Sequence, residues 1–576
     1  MYANWRNTEL RKKFEAISRR IFLDYPTRRG CGRDLITGKE SSNGEIAEKT
    51  SLVSPQITPR VQPASTAVFA AGDIEKTTVP VGNGLTDKQN AKAARGSAVR
   101  QVLAAVAAQL GTINTGMVFG FSAIALPQLK APTSEILVTE TEASWIASIN
   151  AIGTPLGCLF SGYLSDALGR KKTLIITEIP ALLGWALITF STDINMMYAG
   201  RFFVGLGSGM VGAPARVYAA EVTQPHLRGM LTALSSVGVS TGVFVEYLLG
   251  AMLSWRICAG ISATVPLLSL ILIFLFPETP SYLVSREKPD KARKALGRLR
   301  GSTCNLDKEM DTLVSFSNKA HVKRLTGPKE IVTALFKPNA IKPFIMLALY
   351  FLIYQWSGTN AITFYAVEIF QQSGAKMDEK WLTVILGVIR LAATVAACVL
   401  CRRCGRRPLT FVSSIGCGLS MVGFGAYKQL TLGIPLAELS SSYSWFPVFC
   451  IFAYTIACTI GFLVIPWVMI GEVYPVAVRG IVGGMTTMTA HLFVFTVVKT
   501  FPLLRVSLTD PGVYLLYGFI PLAGTVYFYF ALPETQGRSL QEIEDYYSGR
   551  TSTLSKSKVT ANKPPVLEPR KGQLLP

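Results

Sequence analysis

The residues of this chain best placed to do chemistry are charged ones that recur in the same order in its two halves. In the first half Asp166, Gly169, Arg170 and Lys171 form a D-x-x-G-R-K turn, Glu221 stands seven residues before Arg228-Gly229, and Pro277-Glu278-Thr279 follows. In the second, Gly405-Arg406-Arg407 comes first, Glu472 again stands seven residues before Arg479-Gly480, and Pro533-Glu534-Thr535 closes the series. The chemistry open to such groups is ionic. Asp166 with Arg170, and Glu221 or Glu472 with Arg228 or Arg479, are expected to pair across helix ends as a gate that holds one mouth of the molecule closed and breaks when that mouth opens. The plainer alternative is that each charge only anchors a helix end at lipid headgroups. The repeated order reads as an internal duplication, two half-molecules that rock around a central site.

The elements that carry these motifs are apolar. Of the 576 residues, 49% are hydrophobic and 16% charged, and about 20 consecutive apolar residues cross a bilayer. Twelve runs fit that template, near 101–127, 143–165, 173–191, 196–219, 229–252, 257–276, 343–370, 381–401, 409–427, 447–471, 481–504 and 512–531. The expected fold is therefore an all-α membrane protein of twelve transmembrane helices in two pseudo-symmetric lobes of six. The net charge of +21 invites a nucleic-acid reading, but placement decides against it. Arg170, Lys171 and Lys172 follow run two, Arg228 follows run four, and Arg402, Arg403, Arg406 and Arg407 follow run eight. Arg286, Lys288, Lys291, Arg293, Lys294, Arg298, Arg300, Lys323 and Arg324 lie among the basic residues between runs six and seven. The first odd-numbered loop instead carries Glu135, Glu140 and Glu142. Basic residues in alternate loops mark the cytoplasmic side, which puts both termini there; the cell membrane is the expected location, although the loops do not tell it from an internal membrane.

The chain divides on this pattern into a polar tail at 1–95, a first lobe at 96–276, a charged helical linker at 277–342, a second lobe at 343–532 and a second tail at 533–576. The tails are too poor in apolar residues to offset chain entropy and are expected to be disordered. Within the first, Leu10, Phe14, Ile17 and Ile21 recur at helical spacing among basic residues, as in a helix lying on anionic lipid or in a frayed tail helix. Cys398, Cys401 and Cys404 have a spacing that hints at zinc, but they fall at a membrane helix end without a nearby His, and small-residue packing is the reading preferred. With three His in the chain and no H-E-x-x-H, Walker A or G-x-S-x-G in a sensible context, no catalytic constellation assembles. Neither an enzyme, a cofactor nor a metal is expected, and the oligomeric state is not legible.

A longer set of motifs points to a family. Gly169-Arg170-Lys171, Arg201-x-x-x-Gly205, Tyr218-x-x-Glu221, Arg228-Gly229, Trp255-Arg256, Pro277-Glu278-Thr279-Pro280-Ser281-Tyr282-Leu283, Gln355-Trp356-Ser357-Gly358-Thr359-Asn360, Pro466-Trp467 and Pro533-Glu534-Thr535-Gln536-Gly537-Arg538 resemble the sugar porter family of the major facilitator superfamily from about residue 100 to 547. Within it the Ala143-Ser144-Trp145 and Val498-Lys499-Thr500-Phe501 segments are most similar to insect facilitated trehalose transporters. The resemblance implies alternating-access transport of a sugar, trehalose or a hexose, with a site between the lobes. It carries sugar-hydroxyl ligands onto Gln355 and Asn360, a stacking ring onto Trp467, and a further site position onto Tyr365. It puts Arg201 with the gate residues. An amide donates and accepts at once, which suits vicinal hydroxyls. Gln355 and Asn360 face one cavity if their helix breaks near Gly358.

The chain also departs from the family. Ser236, Tyr354, Arg390, Thr459 and Ala490-His491 stand where sugar ligands are expected. Arg390, mid-run, would be expensive in bare lipid; it either binds an anionic or unusually polar solute or pairs with Glu246 on run five. Proton-linked members of the family resemble one another in an acidic residue on the first run, and Gly116 to Pro127 has none. Passive transport is therefore the reading preferred, while Glu178 and His491 keep a proton-coupled symporter open. A nontransporting sugar sensor is the remaining alternative.

Overall fold

A computed structural model of the chain describes residues 98–551, apart from 302–305, 322–327, 433–444, 476–477 and 539. The amphipathic stretch expected near the N-terminus lies outside the described residues. All regular structure among them is helical. Hydrocarbon offers no partner to a backbone amide, so each crossing must satisfy its own N–H and C=O groups.

Six crossings make the first lobe. Span 1 is Ala98–Lys130 and span 2 is Glu140–Leu168, a pair of end-to-end helices. Spans 3, 4 and 5 are Arg170–Thr189, Ile194–Val222 and Pro225–Met252, and span 6 is Trp255–Leu275. Short helices Pro280–Ser285, Pro289–Arg300, Leu306–His321 and Pro328–Leu335 connect the lobes. In the second lobe span 7 is three consecutive helices, Pro338–Trp356, Thr359–Phe364 and Ala366–Gln371. Spans 8 and 9 are Glu379–Arg403 and Arg406–Leu430, and span 10 is Trp445–Ile460 followed by Ile465–Val473. Spans 11 and 12 lie within Arg479–Ala531, divided at Thr509, whose φ of 62° and ψ of 166° leave the helical region. An Arg505 to Asp510 ion pair of 2.6 Å spans that division.

Nine helical stretches among the described residues are long and apolar enough to cross a membrane. The twelve crossings exceed them for three physical reasons. The stretch Arg479–Ala531 holds two spans. Span 4 carries Arg201, Arg216 and Glu221, which lower its hydropathy. Span 7 is cut short at Gly358, where φ is +94°.

Close backbone approach holds the first lobe together. A Cβ on Gly116 of span 1 would fall 2.0 Å from Val239 O of span 5, and one on Gly242 of span 5 would fall 2.0 Å from Ile113 O of span 1. Small residues at such crossings gain van der Waals contact that a lipid tail cannot supply. Between the lobes, span 5 packs on span 8, span 2 on span 11, and span 1 on span 7.

Candidate functional site

The duplicated charges form two clusters of the same design. In the first, Glu278 accepts from the backbone amides of Arg170 and Lys171 at 3.1 Å each, so a carboxylate sits on the N-terminus of span 3, where the helix dipole favours it. Glu221, at the far end of span 4, meets the Arg170 guanidinium at 3.2 Å and takes a 2.6 Å bond from Thr279 Oγ1. In the second, Glu534 accepts from the amides of Arg406 and Arg407 at 3.0 Å each. Glu472 meets Arg406 at 2.5 Å and Thr535 Oγ1 at 2.7 Å. Each cluster thus ties the start of one helix, the end of the next and the segment after its lobe's sixth span. The glycines before the arginines are required by this geometry. Gly169 has φ +101° and Gly405 φ +85°, and a Cβ on them would lie 2.4 Å from Glu278 Oε2 and 2.7 Å from Glu534 Oε2.

The partners differ from those expected. Glu221 and Glu472 pair with Arg170 and Arg406, not with Arg228 and Arg479 seven residues on. Arg228 is exposed on the first turn of span 5, and Arg479 donates to the Tyr474 carbonyl at 2.9 Å. A helix that ends between the two residues turns them apart, whereas the neighbouring span brings Arg170 alongside. Asp166 does meet Arg170, at 3.4 Å and largely in solvent. Arg201 is not part of either cluster. It lies twenty residues before Glu221 on the same helix, about 30 Å away at 1.5 Å per residue. It is fully buried and donates to Ile146 O (3.0 Å), Val118 O (3.1 Å) and Ser122 Oγ (2.6 Å), binding spans 1, 2 and 4.

Midway along span 7 the break at Gly358 brings two amides together. Asn360 Nδ2 donates to Gln355 Oε1 at 2.5 Å, so each amide uses one of its two ends on the other. Gln355 Nε2 is left as a donor and Asn360 Oδ1 as an acceptor, a complementary pair for neighbouring hydroxyls. Both residues are buried, at 2% and 5% exposure. Trp467 is the third residue of the second half of span 10, placed by Pro466 in the first turn of that helix. Its ring contacts Phe351 (4.9 Å) and His491 (5.8 Å). Tyr365 is buried with its hydroxyl on Val498 O at 3.2 Å, which gives it a role in joining spans 7 and 11. Arg390 does not pair with Glu246. Its Nη1 donates to Thr363 Oγ1 at 2.8 Å, while Glu246 accepts from Ser262 Oγ at 2.8 Å within the first lobe. Spans 7 and 8 place the arginine beside a pocket, and spans 5 and 6 turn the carboxylate back into their own lobe. Glu178 likewise accepts from Ser269 Oγ at 2.7 Å, inside the first lobe.

The seam between the lobes is joined at the end opposite the charge clusters. Lys130, last in span 1, bridges to Glu368 of span 7 at 2.8 Å and to Glu140 at 2.8 Å. Lys499 of span 11 donates to Ser144 of span 2 at 2.7 Å and lies 3.9 Å from the centre of the Trp145 ring. Nearer the middle, Tyr247 donates to the Thr363 carbonyl at 2.7 Å and the Arg216 guanidinium lies 5.9 Å from the Trp467 ring. Neither the Lys130–Glu368 pair nor Arg216 is singled out by the motifs. The sequence signal was present in each, since all three are charges inside or at the edge of apolar runs.

Two lobes, polar groups at their shared seam and matching charge clusters at one end define a membrane carrier of the alternating-access kind. The model of the sugar (and other) transporter family matches residues 101–547, and the chain belongs to that family. It is 33% identical over 464 residues to the facilitated trehalose transporter Tret1 of Apis mellifera ligustica, an alignment covering 80% of this chain and 91% of the relative. The Tret1 of Bombyx mori is 32% identical over 448 residues, 77% of this chain and 86% of the relative. Among solved structures, the proton:xylose symporter XylE bound to 6-bromo-6-deoxy-D-glucose superposes with a TM-score of 0.63 at 22% identity, covering 78% of this chain and 99% of the other. A partially occluded inward open form of the E. coli xylose transporter XylE gives 0.62 at 20% identity, covering 77% and 100%. These likenesses identify the major facilitator fold.

Proposed function

We propose that this chain is a facilitative carrier, not an enzyme, that moves trehalose or a hexose across the cell membrane, with the charge clusters and both termini in the cytoplasm. The observation that carries the reading is the amide pair at the break in span 7. Gln355 and Asn360 hold one another in register and present one donor and one acceptor to the seam, and the Trp467 face offers apolar surface for a pyranose ring. Sugar moves when the lobes rock. The contacts of Lys130 and Lys499 close the outer mouth in the state described, and their loss would open it. The two clusters, Asp166, Arg170, Glu221 and Glu278 in one lobe and Arg406, Glu472 and Glu534 in the other, keep each lobe rigid during that motion.

Passive transport is supported by span 1, which carries no carboxylate from Ala98 to Lys130. On that span Ser122 Oγ, a group that does not titrate, takes a hydrogen bond from the Arg201 guanidinium at 2.6 Å. The test is uptake of labelled trehalose and glucose into oocytes at two external pH values, beside a Gln355→Ala, Asn360→Ala double variant. Saturable, pH-independent uptake that the double variant loses is the expected result. Uptake that rises with acidification would make the protein a symporter, and binding without counterflow would make it a sensor.

A further inference from the structure

Arg390 lies at the twelfth of the 25 residues of span 8 and is 7% exposed. Its Nη1 bonds to Thr363 Oγ1, and its Nε is buried without a partner. Among the described residues, the titratable groups whose electrostatics involve Arg390 are Tyr247, Tyr354 and Cys458, none of them a carboxylate. Glu246 is turned to Ser262, and its other oxygen is itself buried without a partner. Each keeps one buried polar atom without a partner and yet the two have not met, which marks the arginine as held for something else. A buried guanidinium is expensive unless an anion accompanies it.

The space beside Arg390 is lined in part by hydroxyl-bearing side chains. It is a cavity of about 20 Å³ bounded by Thr359, Thr363, Tyr454, Thr455 and Thr459 among others. In the state described that is room for about one water, enough for a single small polar group of a ligand. Thr359 and Thr363 share a face of the second helix of span 7, and Asn360 lies roughly 60–100° around it. The pocket lies on the same short helix as Asn360, but neither Asn360 nor Gln355 lines it.

We propose that Arg390 makes this pocket an anion subsite and that the protein accepts a sugar bearing one carboxylate, of the hexuronate kind. The inference rests on the reading of the chain as a sugar carrier. A guanidinium binds a carboxylate through two parallel hydrogen bonds, and a carboxylate supplies the unpartnered Nε with an acceptor. One arginine balances one negative charge. A phosphate monoester brings roughly 1.5 to 2 charges at neutral pH and would remain partly uncompensated. A neutral sugar meets the hydrogen bond but leaves the charge.

The test measures both binding and uptake. Thermal midpoints of the purified full-length protein are titrated with D-glucuronate, D-glucose and chloride for wild type, Arg390→Gln and Arg390→Lys. Uptake of labelled glucuronate and glucose into proteoliposomes is followed in parallel. Glucuronate is expected to bind more tightly than glucose or chloride. Arg390→Gln should reduce the glucuronate-to-glucose affinity ratio about tenfold or more, with part of it restored in Arg390→Lys. Glucuronate binding no tighter than chloride, or a ratio unchanged in Arg390→Gln, overturns the subsite. Glucose uptake without glucuronate binding refutes the subsite and leaves the carrier standing. Glucuronate binding without uptake of any sugar upholds the subsite and refutes the carrier. Should Arg390→Gln fail to fold, the wild-type preference among the three ligands decides.

Discussion

Because Gln355 and Asn360 bond to one another, removing either should do more than delete one sugar contact. In Asn360→Ala the acceptor facing the seam is lost, and the Gln355 carbonyl loses the donor that fixes its orientation. A neutral hydrogen bond contributes about 0.5–1.5 kcal/mol, so losing one to the sugar and weakening a second removes about 1–3 kcal/mol. That is a fall of roughly 5- to 150-fold in affinity. Gln355→Ala should cost a similar amount, since Asn360 then loses its partner and can swing. The double variant should fall well short of the product of the two, because the second substitution removes a group already released. The assay is concentration-dependent uptake of labelled trehalose or glucose, normalised to surface expression, for the two single variants and the double. The coupling should exceed about 0.5 kcal/mol, the scatter expected of independent sites. Strictly additive losses, or single variants with unaltered half-saturation, would refute the view that the amides act as one unit.

Three further outcomes follow from the geometry. Gly169→Ala and Gly405→Ala should each lower the thermal midpoint and the folded yield, since positive φ with extended ψ is backbone almost confined to glycine and costs another residue about 1–3 kcal/mol, and the new methyl displaces Glu278 or Glu534; thermal unfolding in detergent checks this. Arg201→Ala should be far more damaging than Arg228→Ala by the same measurement. The first leaves two carbonyls and a hydroxyl unsatisfied in a buried seam, at about 1–3 kcal/mol each, while the second removes an exposed side chain and should stay within about 0.5 kcal/mol of wild type. Glu368→Gln should weaken closure of the end opposite the clusters, because the Lys130 bridge is largely buried, with side-chain exposures of 22% and 12%. Spin-label distances between spans 1 and 7 at that end should lengthen or broaden, and an unchanged distribution would remove the bridge from the closure mechanism.

Much of the architecture was legible because membrane-spanning helices announce themselves by length and apolarity. The twelve runs, the lobes they make and the break at Gly358 needed only local chemistry, since lipid leaves the backbone no alternative to the helix. Hydropathy was a weaker guide for span 4, whose Arg201 and Glu221 are satisfied inside the first lobe while Arg216 faces Trp467 of the second. The position of Arg201 could also have been read from the chain, because twenty residues of helix separate it from Glu221; the motif resemblance obscured that arithmetic. Pairing could not be read so directly. Glu221 with Arg170, Glu472 with Arg406, Lys130 with Glu368 and the separation of Arg390 from Glu246 all depend on which face of one helix meets another. Spacing along a helix determines which residues share a face. Only packing determines what that face meets, and so which charges are matched and which, like Arg390, meet no countercharge among the described residues.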